Sequence, residues 1–149
     1  MTVQNEYKSW AYLSVTSERP LSEIEGHLGF AGEESSWSKG EDRKSPSQGQ
    51  YPFSRWCLQS GVEEGLPIDV HLKSIWKKIV PYRTQICGLP SSMHGLIQCV
   101  GTFKTRRDQF AVSAGHFSTA AYYQLSFDFD FYFDDEFGDE KEGQRYWEW

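Results

Sequence analysis

Apolar and polar residues alternate strictly over Phe127–Phe133, where phenylalanine occupies every second position. Successive side chains of a strand point to opposite faces, so this pattern predicts a β-strand with four rings on one face. Asp128, Asp130 and Tyr132 fall on the other face. We expect the rings to be buried and to form the centre of the hydrophobic core.

Three other segments alternate in the same way and are predicted strands: Tyr7–Thr16, Phe53–Ser60 and Gly95–Thr105. In the first of these, the residues expected to face inward are Ala11, Leu13 and Val15.

Apolar residues recur every three or four positions in three further segments, which predicts helices. The first helix begins at Pro20, a residue suited to the first turn. The second runs from Pro67 to Val80 and has the broadest apolar stripe. The third is Val112–Leu125, with Ser113 as its N-cap.

The segment Ala31–Gln50 is a long polar connection, and loops of this length are either functional or mobile. Trp37 is the one aromatic residue in this polar segment. We expect this side chain to fold back onto the sheet; the alternative is a tryptophan that awaits a partner.

The order strand, helix, strand, helix, strand, helix, strand predicts an α+β fold, with a four-stranded mixed or antiparallel sheet and about three helices mainly on one face. A doubly wound sheet is the lesser alternative, because its strands would lack the alternation seen here. We treat residues 1–149 as a single domain, with a core over about residues 7–134 and an acidic, aromatic extension over residues 135–149.

The formal net charge of −6 is concentrated at the end of the chain, where nine acidic and two basic residues follow Phe127. Such a surface disfavours nucleic acid as a partner and favours a basic protein. The alternative is an acidic tail that only keeps the protein soluble. The predicted partner-binding residues are Asp134, Asp135, Glu136, Asp139, Glu140, Glu142, Tyr146, Trp147 and Trp149.

Other features predict a cytoplasmic protein without a membrane partner. No apolar run approaches the roughly 20 residues of a membrane span, and the first residues lack the apolar core of a signal peptide. Cys57 and Cys99 fall in predicted strands and are expected to be buried, reduced thiols.

No set of residues has the spacing of a metal site, a phosphate loop or a catalytic constellation, so we predict no metal, no cofactor and no catalytic residue. The four scattered histidines are expected at surfaces or helix caps, with His27 and His71 on polar helix faces. Two alternatives remain for chemistry: Cys87 as a nucleophile, and Asp128 with Asp130 as an acid–base pair.

Several landmarks together resemble a bacterial family, the domain-of-unknown-function family numbered forty-two seventy-nine. They are Leu28-Gly29, Trp37-Ser38-Lys39-Gly40, Trp56 with Leu58, the helix through Leu72 and Ile79, and Phe127-Asp128-Phe129-Asp130. The resemblance covers Tyr7 to Asp134 and implies a small cytoplasmic protein without an assigned reaction. Some members look like immunity proteins beside polymorphic toxins. The family pattern does not explain the acidic, tryptophan-bearing end, and no catalytic residue carries over.

The residues and the resemblance together favour an immunity protein that binds a basic toxin or effector and covers its active site. One alternative is a phage-encoded inhibitor of a bacterial defence complex, acting as an acidic mimic of nucleic acid. Another is an enzyme of unknown substrate that uses the Asp128 and Asp130 pair. The oligomeric state is left open.

Overall fold

The computed structural model describes residues 8–104 and 109–133. The strands are β1 (Lys8–Ser17), β2 (Ser54–Gln59), β3 (Met93–Phe103) and β4 (Ser126–Phe133). The helices are α1 (Leu21–Leu28), α2 (Ile68–Ile79), the short α3 (Arg83–Cys87) and α4 (Ala114–Tyr123). The predicted order of strands and longer helices is confirmed, and the one-turn α3 is an addition. No helix among these residues is long and apolar enough to span a membrane.

The four strands form one mixed sheet in the order β2-β1-β3-β4. β1 pairs antiparallel with both β2 and β3, whereas β4 runs parallel to β3. A parallel pair needs a crossover connection, and α4 lies within the segment that provides it. The α+β architecture with a mixed sheet is therefore as the sequence predicted.

All the helices pack on one face of the sheet. Paired residues share a face, and the inward set of β1 is aligned with Trp56 and Leu58 of β2 and with Ile97 and Cys99 of β3. The prediction for β1 is confirmed, since its inward residues have no exposed surface. These side chains meet the apolar stripes of the helices in one buried cluster, which includes Ala11, Leu13, Val15, Ile24, Leu28, Leu72, Ile75, Ile79 and Tyr123.

The phenylalanine row of β4 shares the face of this cluster but does not form its centre, which corrects the sequence prediction. β4 is an edge strand, so it has a neighbouring strand on one side only within the described sheet. Phe129 and Phe133 are each 38% exposed. Phe110 packs edge-to-face on Phe129 at 6.1 Å and on Phe131 at 4.9 Å. The row is thus half-buried, and the centre of the core is β1 with β3.

The long connection between α1 and β2 covers the outer edge of β2. Trp37 and Arg55 exchange two main-chain hydrogen bonds of 2.9 Å, and the Glu33 N–H donates to the Cys57 carbonyl at 3.0 Å. Residues 40–51 then form a small hairpin, with Asp42 bridged to Gln50. Trp37 therefore folds back onto the sheet, as expected.

Candidate functional site

The predicted binding residues of the C-terminal extension lie outside the described residues. They are Asp134, Asp135, Glu136, Asp139, Glu140, Glu142, Tyr146, Trp147 and Trp149. The strand that leads into them is β4, at the edge of the sheet. The part of the candidate surface that can be placed is therefore β4 and its neighbours on the sheet.

The sheet face opposite the helices is a mixed polar and aromatic surface. Strand pairing aligns Trp10 with Val100 and Asp130 in one row, and Tyr12 with Gln98 in the next. Trp10 and Tyr12 are half-buried, whereas Asp130 is exposed. None of the described helices packs on this face, because their buried hydrophobic residues join the cluster on the other side. We call this surface the uncovered face.

Asp128 and Asp130 both extend from β4 on the uncovered face, and both are exposed. Alternate residues of a strand are about 7 Å apart, so the two carboxylates are neighbours without touching. Within residues 8–104 and 109–133 neither forms an ion pair. Gln98 Nε2 donates a 3.4 Å hydrogen bond to the main-chain oxygen of Asp128, which leaves the carboxylate in solvent. Two exposed carboxylates on an open strand face can attract a cation.

The guanidinium of Arg55 packs against two aromatic rings near the uncovered face. Its guanidinium carbon lies 4.0 Å from the centre of the Trp37 ring and 5.3 Å from that of Tyr12. One of its nitrogens donates a 3.1 Å hydrogen bond to the Ser35 carbonyl. Burial raises the pKa of Tyr12; the Arg55 charge opposes this shift, and the Asp130 charge adds to it. The face can therefore accommodate a guanidinium against its rings.

A buried serine–histidine contact lies between the end of β2 and α2. Ser60 Oγ is 2.6 Å from His71 Nδ1, and His71 has no exposed surface. The prediction of a polar helix face for His71 is therefore wrong. Within the described residues, His71 Nε2 has no hydrogen-bond partner. Burial lowers the pKa of His71, because the imidazolium form would lose its hydration.

The distance between Ser60 and His71 would suit a nucleophile and its base. Ser60 is only 3% exposed, so a substrate has no access to its hydroxyl. The Ser60 carbonyl also accepts a hydrogen bond from Ser74 of α2. We interpret the contact as structural: it fixes the turn that precedes α2.

A second polar cluster joins the N-terminal ends of α2 and α4. The Asp69 carboxylate accepts hydrogen bonds from the Ser113 hydroxyl and, at 3.0 Å, from the Ser113 N–H. His116 Nε2 lies 3.3 Å from the same carboxylate, and Trp76 Nε1 donates to His116 Nδ1 at 3.0 Å. An indole N–H can only donate, so Nδ1 of His116 is unprotonated and its Nε2 proton faces Asp69.

These contacts stabilise the charged form of Asp69. The hydrogen bond from the Ser113 hydroxyl is the largest cause that lowers the pKa of this carboxyl. Ser113 does occupy the N-cap of α4, but its side chain bonds Asp69 rather than its own helix. His116 is 7% exposed, so the surface position expected for it is also wrong. The cluster links the N-terminal ends of α2 and α4, and its serine hydroxyl donates to a carboxylate whose charged form is stabilised.

The three cysteines differ in their burial. Cys57 and Cys99 are free and buried, as predicted. Burial raises the pKa of both thiols, that of Cys99 to about 12, which keeps them protonated at neutral pH. Cys87 is half-buried, and its Sγ donates a 3.5 Å hydrogen bond to the Tyr122 carbonyl. In the described part of the chain, no group of three or more histidine, cysteine or acidic residues is placed to hold a metal ion.

Comparison with protein families gives one match that spans most of the chain. Residues 5–134 match the family described as a domain of unknown function (DUF4279). The chain belongs to this family. Neither the comparison with curated proteins nor that with solved structures gives a match. Membership in a DUF4279 family supplies no reaction, so the function must be argued from the residues.

Sequence reasoning missed the burial of His71, although a signal was present. His71 lies three residues after Ile68 and four before Ile75, which places it on the apolar stripe of α2. Its residue type suggested a polar face, whereas its spacing indicated the buried one. The stacking of Arg55 between Trp37 and Tyr12 had no comparable signal, because it depends on the path of the loop.

Proposed function

We propose that the protein is a cytoplasmic immunity protein that binds a basic toxin or effector and neutralises it by covering the active site. The observation that carries this proposal is the charge distribution: from Asp128 to the end the chain has nine acidic and two basic residues. A localised negative charge raises the rate at which a basic partner arrives. The aromatic residues Tyr146, Trp147 and Trp149 would then anchor the complex.

The position of β4 supports this proposal. β4 is an edge strand on which Asp128 and Asp130 are exposed, and the acidic extension follows it directly in the sequence. The charge of the strand and that of the extension can therefore act on one partner.

The proposal assigns no catalytic role to the described residues. Ser60 and His71 are buried, the Ser113 hydroxyl donates a hydrogen bond to Asp69, and the exposed Asp128 and Asp130 pair lies on an open face. Each potentially reactive group is explained by a structural contact or by solvation, which favours a binding protein.

The test begins with recovery of the partner from the native host by the full-length chain, followed by mass spectrometry. Co-expression then shows whether the chain suppresses the toxicity of that partner. Surface plasmon resonance at two salt concentrations measures the rates. We expect replacement of the six acidic residues in 134–142 by Asn and Gln to slow association about tenfold at low salt, with a smaller effect at high salt.

Truncation of the proposed anchor should act on dissociation instead. Trp147→Ala removes a ring from a desolvated contact, which costs on the order of 2 kcal/mol or a roughly 30-fold faster off-rate. The control is Glu41→Gln with Asp42→Asn, two exposed carboxylates on the hairpin beyond β2. If deletion of residues 138–149 changes neither rate, the extension is not the binding segment. If the partner remains toxic in the presence of the chain, the immunity proposal is wrong.

A further inference from the structure

We propose that the uncovered face around Trp10, Asp128 and Asp130 is a docking surface for arginine and lysine side chains of a cationic protein segment. This inference rests on the proposed function and deepens it, since it names where in the described fold the positive groups of the partner bind.

The carboxylates of this surface are available for a cation from outside. Asp128 and Asp130 point to the same face, are exposed, and form no ion pair within residues 8–104 and 109–133. The β3 side chains beside them, Gln98 and Val100, are neutral. The negative charge at this edge of the sheet is therefore not balanced by its neighbours on the strand.

Aromatic rings lie on the same face as the carboxylates. Trp10 is half-buried in the row of Asp130, two strands away, which corresponds to about 10 Å between main chains. Tyr132, the next residue of this face along β4, is 55% exposed. A guanidinium that reaches Asp130 can thus also approach a ring, and the two contacts reinforce each other.

The chain itself contains an example of this contact. Arg55 is held on the uncovered face with its guanidinium against the rings of Trp37 and Tyr12 at 4.0 and 5.3 Å. The surface near Asp130 offers a ring and two carboxylates that form no ion pair within residues 8–104 and 109–133. Lys8, one row further along this face, lies 3.7 Å from the Glu64 carboxylate. The surface near Asp130 therefore suits an arginine from a partner in the way that the β2 side of the face suits Arg55.

Charge argues against two other occupants. Residues 134–149 contain seven acidic and two basic residues, so the chain's own end would meet Asp128 and Asp130 with like charge. A second copy of the chain brings a net charge of −6. A cationic segment of another protein is the occupant that the charges favour.

Binding of a cationic segment at this surface requires several contacts, because each exposed ion pair is weak. One exposed ion pair changes an affinity by less than about fivefold, so neither carboxylate alone would hold a partner. Two carboxylates combined with ring contacts can give a measurable, salt-dependent site. We therefore expect the double variant of both aspartates to show the effect most clearly.

The experiment titrates the ¹⁵N-labelled full-length chain with an eight-residue peptide of alternating arginine and glycine. The matched probe replaces each arginine by citrulline, which keeps the shape and removes the charge. We expect the arginine peptide, but not the citrulline peptide, to shift the indole signal of Trp10 and the amide signals of Asp128 and Asp130. Asp128→Asn with Asp130→Asn should weaken this binding about five- to tenfold, while Glu41→Gln with Asp42→Asn should change it less than twofold.

Several results would overturn the inference. Shifts confined to residues 134–149 would place the cation on the extension alone, and equal weakening by both double variants would indicate attraction by net charge only. Shifts of the uncovered face that depend on protein concentration without peptide would indicate a second copy as the occupant. Spectra of both variants before titration control for their folding.

The outcome is separable from that of the proposed function. If the partner recovered from the host is neutralised equally well by Asp128→Asn with Asp130→Asn and with unchanged rates, this inference fails while the immunity proposal stands. If the recovered partner is not neutralised by the wild-type chain, the peptide titration still decides whether the uncovered face binds cationic segments.

Discussion

The middle of the helix-covered face and its β4 edge carry apolar rows of the same period, but the two rows differ in burial. In the middle of the sheet, Leu13 and Ile97 have no exposed surface. At the edge, Phe129 and Phe133 retain more than a third of theirs, although phenylalanine is the larger apolar residue. The difference teaches that burial depends on what packs around a strand, and hydrophobicity alone does not decide it.

The causes of the difference are position and cover. β1 has a strand on each side, and the helices lie over it. β4 pairs with β3 alone in the described sheet, and the neighbouring cover comes mainly from rings such as Phe110 and Phe117. The aromatic row at the edge is therefore stabilised by ring-to-ring contacts, which contribute less than complete removal from water.

We expect the largest loss of stability for a substitution in the middle of the sheet. Leu13→Ala should lower the free energy of unfolding by about 3 kcal/mol or more, because it leaves a cavity that surrounding strands and helices cannot fill. Urea denaturation monitored by tryptophan fluorescence measures this. The matched control is Leu66→Ala, at a leucine that is 37% exposed, for which we expect a loss under about 1 kcal/mol. Equal losses for the two variants would mean that β1 is not the centre of the core.

A smaller effect is expected at the edge. Phe129→Ala should cost roughly 1–2 kcal/mol, below the range typical of a fully buried phenylalanine, because part of its ring already contacts water. Phe103→Ala, in the same cluster but 8% exposed, should cost more. Thermal melting of both variants gives the ranking. A loss at Phe129 as large as that at Leu13 would restore β4 as the centre of the core.

The smallest expected effect is a loss of stability in acid. It arises on the helix-covered side of the sheet, where the imidazole of His71 is buried. The folded pKa of His71 is lowered, so the unfolded state binds more protons below its ordinary pKa near 6.5. Stability should therefore fall as the pH drops from 7.5 to 5.5, with a slope of at most about 1.4 kcal/mol per pH unit. The stabilisation from Asp69 is also lost in acid, but this loss begins near the ordinary pKa of a carboxyl, about 4, and continues down through the lowered pKa of the folded state.

Denaturation at several pH values measures that slope. His71→Asn keeps a polar group near Ser60 and cannot become charged, so its stability should depend less on pH over the same interval. An unchanged slope in this variant would assign the pH dependence to another group.

The elements and their faces could be predicted from the sequence because both periodicities are strong. Alternation in β1 identified Ala11, Leu13 and Val15 as inward residues. The stripe of α2 was predicted correctly apart from His71, which is buried, and Val80, which lies beyond the helix and is exposed. These patterns are local, because apolar residues mark the buried face of an element and polar residues mark its exposed face.

The arrangement of the elements was less accessible. The residues of Phe127–Phe133 do not predict that this strand lies at the edge of the sheet or runs parallel to β3. Both features follow from the path of the chain through α4. The hydrogen bonds between Asp69 and Ser113 likewise join residues 44 positions apart, so the local sequence predicts instead that Ser113 caps its own helix. The uncovered face emerged only when the register aligned residues of three strands. The nine residues predicted to bind the partner stay a prediction.

The segment that runs along β2 has a consequence for self-association. Sheets can join edge to edge into an endless series only if each molecule offers two different free edges, one to donate and one to accept. Here the edge of β2 is occupied by the hydrogen bonds of Glu33 and Trp37, so it cannot accept a strand from a neighbouring molecule. Among the described strands, the covered edge of β2 thus favours closed pairs over an open series of molecules by this route.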